Sequence, residues 1–412
     1  MDRRIARPNR LLALLVLAAA PALAQEQTQD RAPEPPQPPA QPATPQPPAT
    51  LGAIIERHNV PALAVLGVAW DAESGAPATV LADQAGVRAF GSESPVGPDD
   101  LWHIGSCTKA FTATLLATFV AEGRLSWNDT LAAALPEHAE LMGPTLRART
   151  VADLLRHRAG MPANASPRLF GQLRSMDTAA GRAEILREAL LTAAPVHESD
   201  APVYSNTGYV VAGAIAQRLG GRPWEELLAQ RVLAPLGIGP EQFGFGPPPA
   251  GGDVAHPLQP MGHAPVGRRW MPLVPSPMAD NPPAYGPAST LHMTLSAWSR
   301  FAMAHARGHH LAEGQRDALG LSRADYAELH RPEQGFAAGW LAAPRPWAGG
   351  GGGPGQTLSH AGSNTAWFAA AWIAPERGWV LLAACNAAGQ GGPIATDEAV
   401  GLALRALSEA GR

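Results

Sequence analysis

The sequence predicts a mixed α+β fold: an antiparallel sheet formed by N- and C-terminal strands with flanking helices, plus an inserted, mostly helical lobe. Three observations lead there. Pro61 to Trp70 and Ala78 to Phe90 are rich in valine, leucine and alanine, and the turn-forming stretch Asp71 to Pro77 separates them, as in a hairpin. From about residue 101 to 330 the apolar residues recur with helical spacing. Gly335 to Leu341, Thr365 to Ile373 and Trp379 to Asn386 are continuous apolar runs of the kind found in strands covered on both faces. Strands, helices, then strands again imply that both ends of the chain meet in one sheet. A cleft between the two lobes is the expected place for a ligand.

In chain order, Met1 to Ala24 has the layout of a secretory signal peptide. Arg3, Arg4, Arg7 and Arg10 precede the apolar run Leu11 to Ala20, and Ala22-Leu23-Ala24 offers a cleavage site before Gln25. The apolar run is too short to span a bilayer stably, and no later stretch offers about 18 uninterrupted apolar residues. The expectation is a periplasmic or secreted protein with no integral membrane segment after cleavage behind Ala24. The formal charge is -4, and loss of an arginine-rich signal makes it more acidic, which argues against a nucleic-acid partner. Residues 25–50, dominated by proline, glutamine and alanine, cannot bury a core and read as an extended linker. Residues 51–412 form the folded domain, with 51–100 and 331–412 as the sheet lobe and 101–330 as the helical lobe.

Within the domain, Leu101 to Gly105 leads into a helix from Ser106 to Glu122, which Gly123 ends. Thr150 caps Val151 to His157, with Gly160 and Pro162 as the stop. Ser205 to Leu219 is a helix closed by Gly220-Gly221, and Trp224 to Leu233 and Ser296 to His305 are two more. Gly244 to Pro287 is dense in proline and glycine and too long for an ordinary connection, so it reads as a lid or a cleft wall. Gly349 to Gly353 lack the lysine and helix of a phosphate loop and read as a flexible hairpin tip. Pro375 to Gly378 is a tight turn, and Asp397 to Ala410 a closing helix. Cys107 and Cys385 both sit in apolar stretches and read as small buried residues rather than a disulfide. His305, His309 and His310 lie close in sequence, but Gly308 interrupts their helix and no carboxylate joins them, so no metal site is expected.

The chemistry centres on Ser106-Cys107-Thr108-Lys109. The chain has 31 basic residues, and Lys109 is its sole lysine. Arginine serves wherever a positive charge suffices, whereas a lysine shielded from water can shed its proton and act as a base. Residues i and i+3 share a helix face, so the Ser106 hydroxyl and the Lys109 amine can pair as nucleophile and base. Tyr204-Ser205-Asn206 opens a helix; the phenol can pass protons beside Lys109, and the Asn206 amide can orient the amine or a substrate carbonyl. His360-Ala361-Gly362 precedes an apolar strand. There His360 can donate to a carbonyl or carboxylate, and Gly362 lets a substrate backbone lie close. His103-Ile104-Gly105 fits the same loose pattern and reads as a packed residue. The absence of G-x-S-x-G counts against an α/β-hydrolase.

These motifs, with Leu101 to Thr112, Thr150 to Leu155, Gly160-Met161-Pro162, Pro202 to Tyr209 and Ser359 to Gly362, resemble the serine β-lactamase and penicillin-binding-protein family over roughly residues 51 to 390. The likeness is to the class C branch, which includes D-alanyl-D-alanine carboxypeptidases, D-aminopeptidases and family VIII esterases. The resemblance implies the β-lactamase/transpeptidase-like fold, with Ser106 as the acylated nucleophile, Lys109 as its base, Tyr204 relaying protons and Asn206 in support. It also implies an oxyanion hole from the backbone N–H groups of Ser106 and Ser363, and no cofactor. For Lys109 to be neutral near pH 7, its pKa must fall by about three from roughly 10.4, on the order of 4 kcal/mol.

His360 departs from the lysine that class C β-lactamases resemble one another in having at that position, and a neutral imidazole holds a substrate carboxylate less well. Arg268 or Arg269 in the long loop are candidates to supply that charge. The expectation is an exported serine hydrolase that cleaves small esters, amides or D-peptides through an acyl-enzyme. A D-alanyl-D-alanine carboxypeptidase, a β-lactamase and a catalytically inactive peptidoglycan- or partner-binding relative are the alternatives.

Overall fold

The computed structural model describes residues 50–71, 73–197, 200–267, 269–276, 278–351, 353–389 and 391–411. The expected signal peptide, nearly all of the linker, and Arg268 lie outside the described residues. Helix α1 (Leu51–His58), capped by Thr50, leads into β1 (Ala62–Asp71) and β2 (Ala76–Gly86). β3 (Trp102–His103) is followed by a 3-10 turn, Gly105–Cys107, and by α2 (Thr108–Ala121). Among shorter helical turns come α3 (Val151–Leu155), α4 (Thr178–Thr192), α5 (Asn206–Gly220) and α6 (Trp224–Leu228). β4 (Phe243–Phe245), β5 (Gly262–Val266), β6 (Arg269–Leu273), β7 (Leu291–Met293), α7 (Leu295–Gly308) and α8 (Arg323–His330) complete the middle of the chain. β8 (Phe336–Ala337), β9 (Trp340–Arg345), β10 (Gly355–Ser363), β11 (Phe368–Ala374), β12 (Trp379–Cys385) and α9 (Gly391–Glu409) close it.

The main sheet has seven strands in the order β2-β1-β12-β11-β10-β9-β8, with antiparallel neighbours throughout. The join between the two ends of the chain is the β1–β12 pair, in register from Leu63↔Cys385 to Ala69↔Trp379. Because side chains alternate along a strand, the two faces serve two cores. Leu63, Val65, Trp372, Trp379, Leu381 and Ala383 pack with Leu51 and Ile54 of α1 and with Ala399, Ala403 and Leu407 of α9. The alternate residues Ala64, Leu66, Val68, Ala371, Val380 and Leu382 belong to the core that also holds α2 and α7. Every residue of β12 is buried, which is why its sequence shows no polar alternation. Gly67 allows α9 to approach: a Cβ there would stand 3.3 Å from the Ala403 Cβ.

α2 is buried from Thr108 through Phe119. A helix that is apolar all round can only be stable enclosed, and here it packs against α5 and α7, with Phe111 stacked on Phe301 at 3.6 Å between ring centroids.

Several expected elements differ in detail. The middle of the chain is not purely helical, since β3, β7 and β4 form a small three-stranded sheet. The Pro- and Gly-rich stretch starts inside β4, carries the β5–β6 hairpin and, after a 3-10 turn at Pro283–Tyr285, ends in the short helical turn Gly286–Ser289. The run Gly335 to Leu341 is not one strand. It breaks between β8 and β9 at Gly339 (φ 79), where a Cβ would lie 2.5 Å from the Ala110 Cα, so only glycine lets the sheet edge touch the start of α2. The His360 motif lies within a strand of its own, β10, and the strand that follows it, β11, starts three residues later than Thr365. Cys107 and Cys385 are free, buried thiols.

Candidate active site

Ser106 sits half-buried in the 3-10 turn that feeds α2, between β3 and the helix. The turn is held from both sides: the Thr108 hydroxyl donates to Gly105 O at 2.6 Å and accepts from Leu291 N at 3.2 Å. Lys109 follows in the first turn of α2, fully buried. Its Nζ lies 3.1 Å from Ser106 Oγ, 2.7 Å from Asn206 Oδ1 and 2.9 Å from Ala288 O.

Two of those partners constrain where the hydrogens of the amine point. The Ala288 carbonyl can only accept, and the Asn206 side chain presents its oxygen because its Nδ2 donates to Asn164 Oδ1 at 2.8 Å. A neutral amine has two hydrogens, which these acceptors consume, and its lone pair is then directed at the Ser106 hydroxyl. Burial pushes the Lys109 pKa down from 10.5 to about 7. The three partners are uncharged, and Cys107, the one neighbour opposing the shift, is itself kept a neutral thiol by burial. The lone lysine of the sequence therefore lies in a setting that favours the free base near neutral pH.

Tyr204 lies in extended chain just before α5, with its ring 4.7 Å from Lys109 Nζ. Its phenol is beside the Ser106 side chain, which lowers its pKa in part, but burial outweighs this and raises it above the ordinary value. Ser205, not Asn206, caps α5: its hydroxyl accepts from Gly208 N at 2.8 Å. That leaves Asn206, at the first helical position, free to point at Lys109. The Tyr204–Asn206 segment is further held by His157, whose Nδ1 accepts from Ser205 N at 3.1 Å and whose ring lies 4.6 Å from that of Tyr204. His157 adopts a left-handed backbone (φ 60). Asn164 and His157 were not singled out in the sequence, because only the folded chain brings them within reach of this segment.

His360 is buried, and both ring nitrogens are engaged within the protein. Nδ1 is 2.7 Å from Gly339 O, a carbonyl that can only accept, so the ring proton sits on Nδ1. Nε2 is then the acceptor, 3.3 Å from the Tyr204 hydroxyl. Burial pushes the His360 pKa down to about 4, with the Lys109 charge adding to it. The expectation that His360 donates to a substrate carbonyl or carboxylate does not match this bonding; the ring partners Tyr204.

Gly362 and Gly105 lie back to back. A Cβ on Gly362 would fall 2.0 Å from Ile104 O and 2.7 Å from Ser106 N, and one on Gly105 (φ 52) would fall 2.5 Å from Ser363 N. The absence of two side chains thus lets the backbone at Gly362–Ser363 lie against that of the Gly105–Cys107 turn. Ser363 itself is exposed, and its hydroxyl accepts from Thr365 N at 3.1 Å.

The other candidates lie elsewhere. Arg269 is on the β5–β6 hairpin, whose neighbouring Trp270 donates to Asn59 O and packs on Gly389. His305 Nδ1 and His330 Nε2, and His330 Nδ1 and His309 Nε2, are each 2.7 Å apart, while His310 turns away to Pro375 O. Two nitrogens sharing a metal at about 2.0–2.1 Å each in tetrahedral geometry stand farther apart than that, so these rings bond to one another. Gly308 does not interrupt α7; it is the last residue of the helix, where Tyr326 packs against it.

The family model for β-lactamase matches residues 55–405 of this chain. A segment of 159 residues is 29% identical to penicillin-binding protein 4 of Amycolatopsis lactamdurans, covering 37% of this chain and 39% of that protein. A segment of 177 residues is 24% identical to a putative D-alanyl-D-alanine carboxypeptidase of Escherichia coli, covering 41% and 38%. The matches thus span about two fifths of those relatives' lengths. Among solved structures, the octameric penicillin-binding protein homologue from Pyrococcus abyssi superposes with a TM-score of 0.65 at 20% identity, over 87% of this chain and 75% of that one. The D-amino acid amidase from Ochrobactrum anthropi superposes with a TM-score of 0.60 at 20% identity, over 88% and 98%. At these identities the structures speak for the fold.

Proposed function

Since the chain belongs to the β-lactamase family of serine hydrolases, we propose that it hydrolyses an ester or amide through an acyl-enzyme on Ser106. The observation that carries this reading is the Lys109 amine, buried among two obligate acceptors and the Ser106 hydroxyl, with its pKa lowered to about 7. In the first half-reaction the Ser106 oxygen bonds to the substrate carbonyl carbon and its proton passes to Lys109. The carbonyl π pair moves to oxygen, where the Ser106 and Ser363 N–H groups stabilise it, with Gly362 keeping the strand edge close. Collapse breaks the bond to the leaving amine or alkoxide, which takes its proton from Lys109 by way of Tyr204. Water then attacks the acyl carbon by the reverse route, releasing the acid and restoring Ser106. Asn206 holds the amine in place, and His360 accepts the Tyr204 hydroxyl and so aims the phenol at Ser106.

The proposed substrates are D-peptides, D-amino acid amides or small esters. Relatives named as a penicillin-binding protein, a D-alanyl-D-alanine carboxypeptidase and a D-amino acid amidase support the D-configured amides. A neutral His360 offers no positive charge for a substrate carboxylate, which disfavours a β-lactamase. The proposed place of action is outside the cytoplasm, on the strength of the N-terminal sequence; no helix among the described residues is long and apolar enough to cross a membrane.

Intact-mass spectrometry of the protein after incubation with a fluorophosphonate, and separately with a penicillin and a chromogenic acetate ester, tests the reading. One adduct on the Ser106 peptide, lost in Ser106→Ala, is expected, together with turnover of the ester. No labelling of folded protein would leave a binding protein without the chemistry.

A further inference from the structure

A buried carboxylate with no part in the chemistry above lies under the paired glycines. Asp280 is 5% exposed, and three donors converge on it. His103 Nε2 stands 2.8 Å from Oδ2, while Asn364 Nδ2 at 2.8 Å and Asn281 N at 2.7 Å share Oδ1. The proton positions follow from the partners. Gly105 N–H donates to His103 Nδ1 at 3.1 Å, so that nitrogen carries a lone pair, and the imidazole is neutral with its hydrogen on Nε2. The neighbours of Asp280 are therefore all donors, and it accepts from them as a carboxylate.

Each of the three leads to a different part of the reacting centre. His103 holds the N–H of Gly105, the residue before Ser106. Asn364 follows Ser363, and its Oδ1 accepts from Ala366 N at 3.3 Å and Trp367 N at 3.1 Å, closing the corner in which Thr365 takes a left-handed backbone (φ 73). Asn281 Nδ2 reaches Ser289 Oγ at 3.0 Å, next to Ala288, whose carbonyl receives Lys109 Nζ. The nucleophile turn comes from one part of the chain and the end of β10 from another, more than 250 residues apart in sequence. Glycine contact allows them to approach but does not fix their offset. One direct bond, Cys107 Sγ to His360 O at 3.4 Å, crosses between them, and a single carboxylate bonded to both sides adds a second tie, on the side of the two amides.

We propose that Asp280 is a positioning residue which, through His103 and Asn364, sets the separation of the Ser106 and Ser363 amides as an oxyanion hole. The inference rests on the reading of Ser106 as nucleophile. A group present only for packing is better supplied by an apolar side chain, since a buried ion costs desolvation that its partners must offset.

The test is Asp280→Asn, alone and combined with Asn364→Asp. The amide keeps the volume of the carboxylate but must turn its NH2 toward either the His103 or the Asn364 donor, so one of the two connections fails. In the double variant the amide at 280 accepts from His103 and donates to the carboxylate at 364, which restores the link between the two sides with its polarity exchanged while Asn281 N–H loses its acceptor. Loss of a whole oxyanion donor costs about 10²–10³ in kcat, so displacement of one is expected to cost roughly 10- to 100-fold. That loss is expected in kcat for a chromogenic ester and in the rate of fluorophosphonate labelling at Ser106, with KM within about twofold. The double variant is expected to recover part of it, the Asn281 N–H remaining without its acceptor. Labelling and kcat of Asp280→Asn within about twofold of wild type, or a folded double variant no better than the single one, would overturn the proposal. Should Asp280→Asn fail to fold, Asn364→Ala removes the Asp280 connection together with the acceptor of Ala366 N and Trp367 N, and an unchanged kcat in that more severe variant overturns the proposal all the same. Wild-type protein that takes no label at Ser106 would instead remove the nucleophile reading, and this inference with it.

Discussion

The pH dependence of acylation should report Lys109 directly. Its pKa stands at about 7 against an ordinary 10.5, with burial the dominant cause. Each pH unit corresponds to about 1.4 kcal/mol, so the folded protein holds the ammonium form on the order of 5 kcal/mol less stable than water does. As the neutral amine is the reactive form, the fraction able to deprotonate Ser106 is about one in eleven at pH 6 and about ten in eleven at pH 8. The second-order rate of fluorophosphonate labelling should therefore rise about tenfold per pH unit below 7 and level off above it. The His360 and His157 imidazoles do not account for such a limb, because burial holds His360 near 4 and His157 well below its usual value. Asp397, raised to about 6, lies on α9 across the sheet from α2 and serves as the control: Asp397→Asn should leave the limb in place. Stability should follow the same group. Below pH 7 the folded state carries the buried ammonium at full cost; between 7 and 10.5 the unfolded chain binds more protons, so unfolding free energy gains from this group as pH rises. A labelling rate that is flat from pH 5.5 to 8.5, or a midpoint near 10, would refute the assignment of Lys109 as base.

Further outcomes follow from the same geometry. Lys109→Arg keeps the charge but has no lone pair for the Ser106 proton, and should lower the labelling rate by at least about 10³ and abolish the limb near pH 7. Gly362→Ala places a Cβ 2.0 Å from Ile104 O; the strand must retreat from Ser106, and acylation should fall by roughly 100-fold, with a lower melting temperature from the overpacking, measured by kinetics and thermal denaturation together. His360→Lys adds a cation beside Lys109 and removes the acceptor of the Tyr204 hydroxyl, so acylation should slow and its limb should move below pH 7; a limb left in place would show that charge at this position does not reach Lys109.

What the sequence made legible was whatever local pattern encodes. The main sheet was readable because β1, β11 and β12 are buried on both faces and so are apolar without interruption. The helix carrying Lys109 was readable because it too is enclosed on all sides. Helix α4 was not, since its exposed face alternates alanine with arginine and glutamate and its apolar stripe is narrow. The β5–β6 hairpin was hidden by the prolines and glycines around it, which local rules read as irregular chain. At the site, the serine, lysine, tyrosine and asparagine stand in short motifs that a reader can find. Their orientation does not, because it is set by contacts between distant segments: Asn164 turning the Asn206 amide, Gly339 taking the His360 proton, Asp280 joining His103 to Asn364.

The distribution of basic residues ties these levels together. Among the described residues, the buried arginines each have a carboxylate beside them, Arg156 with Glu328 at 2.6 Å and Arg182 with Glu225 at 2.7 Å, and the half-buried Arg88 has Asp100 at 2.8 Å. Such pairs are strong because the guanidinium stays charged and its fork matches a carboxylate. Lys109 is as buried as any of them, yet its partners are a hydroxyl, an amide oxygen and a carbonyl. A carboxylate within 4 Å would raise its pKa and keep the ammonium; uncharged acceptors orient the amine without anchoring its proton. Introducing an acid there, as in Asn206→Asp, should therefore do more harm than loss of a hydrogen bond. The new carboxylate would hold the lysine protonated and move the acylation limb upward by one pH unit or more, whereas Asn206→Ala would slow acylation without moving the limb upward. If both variants slow the reaction with the same pH profile as wild type, the uncharged surroundings of Lys109 are not what makes it a base.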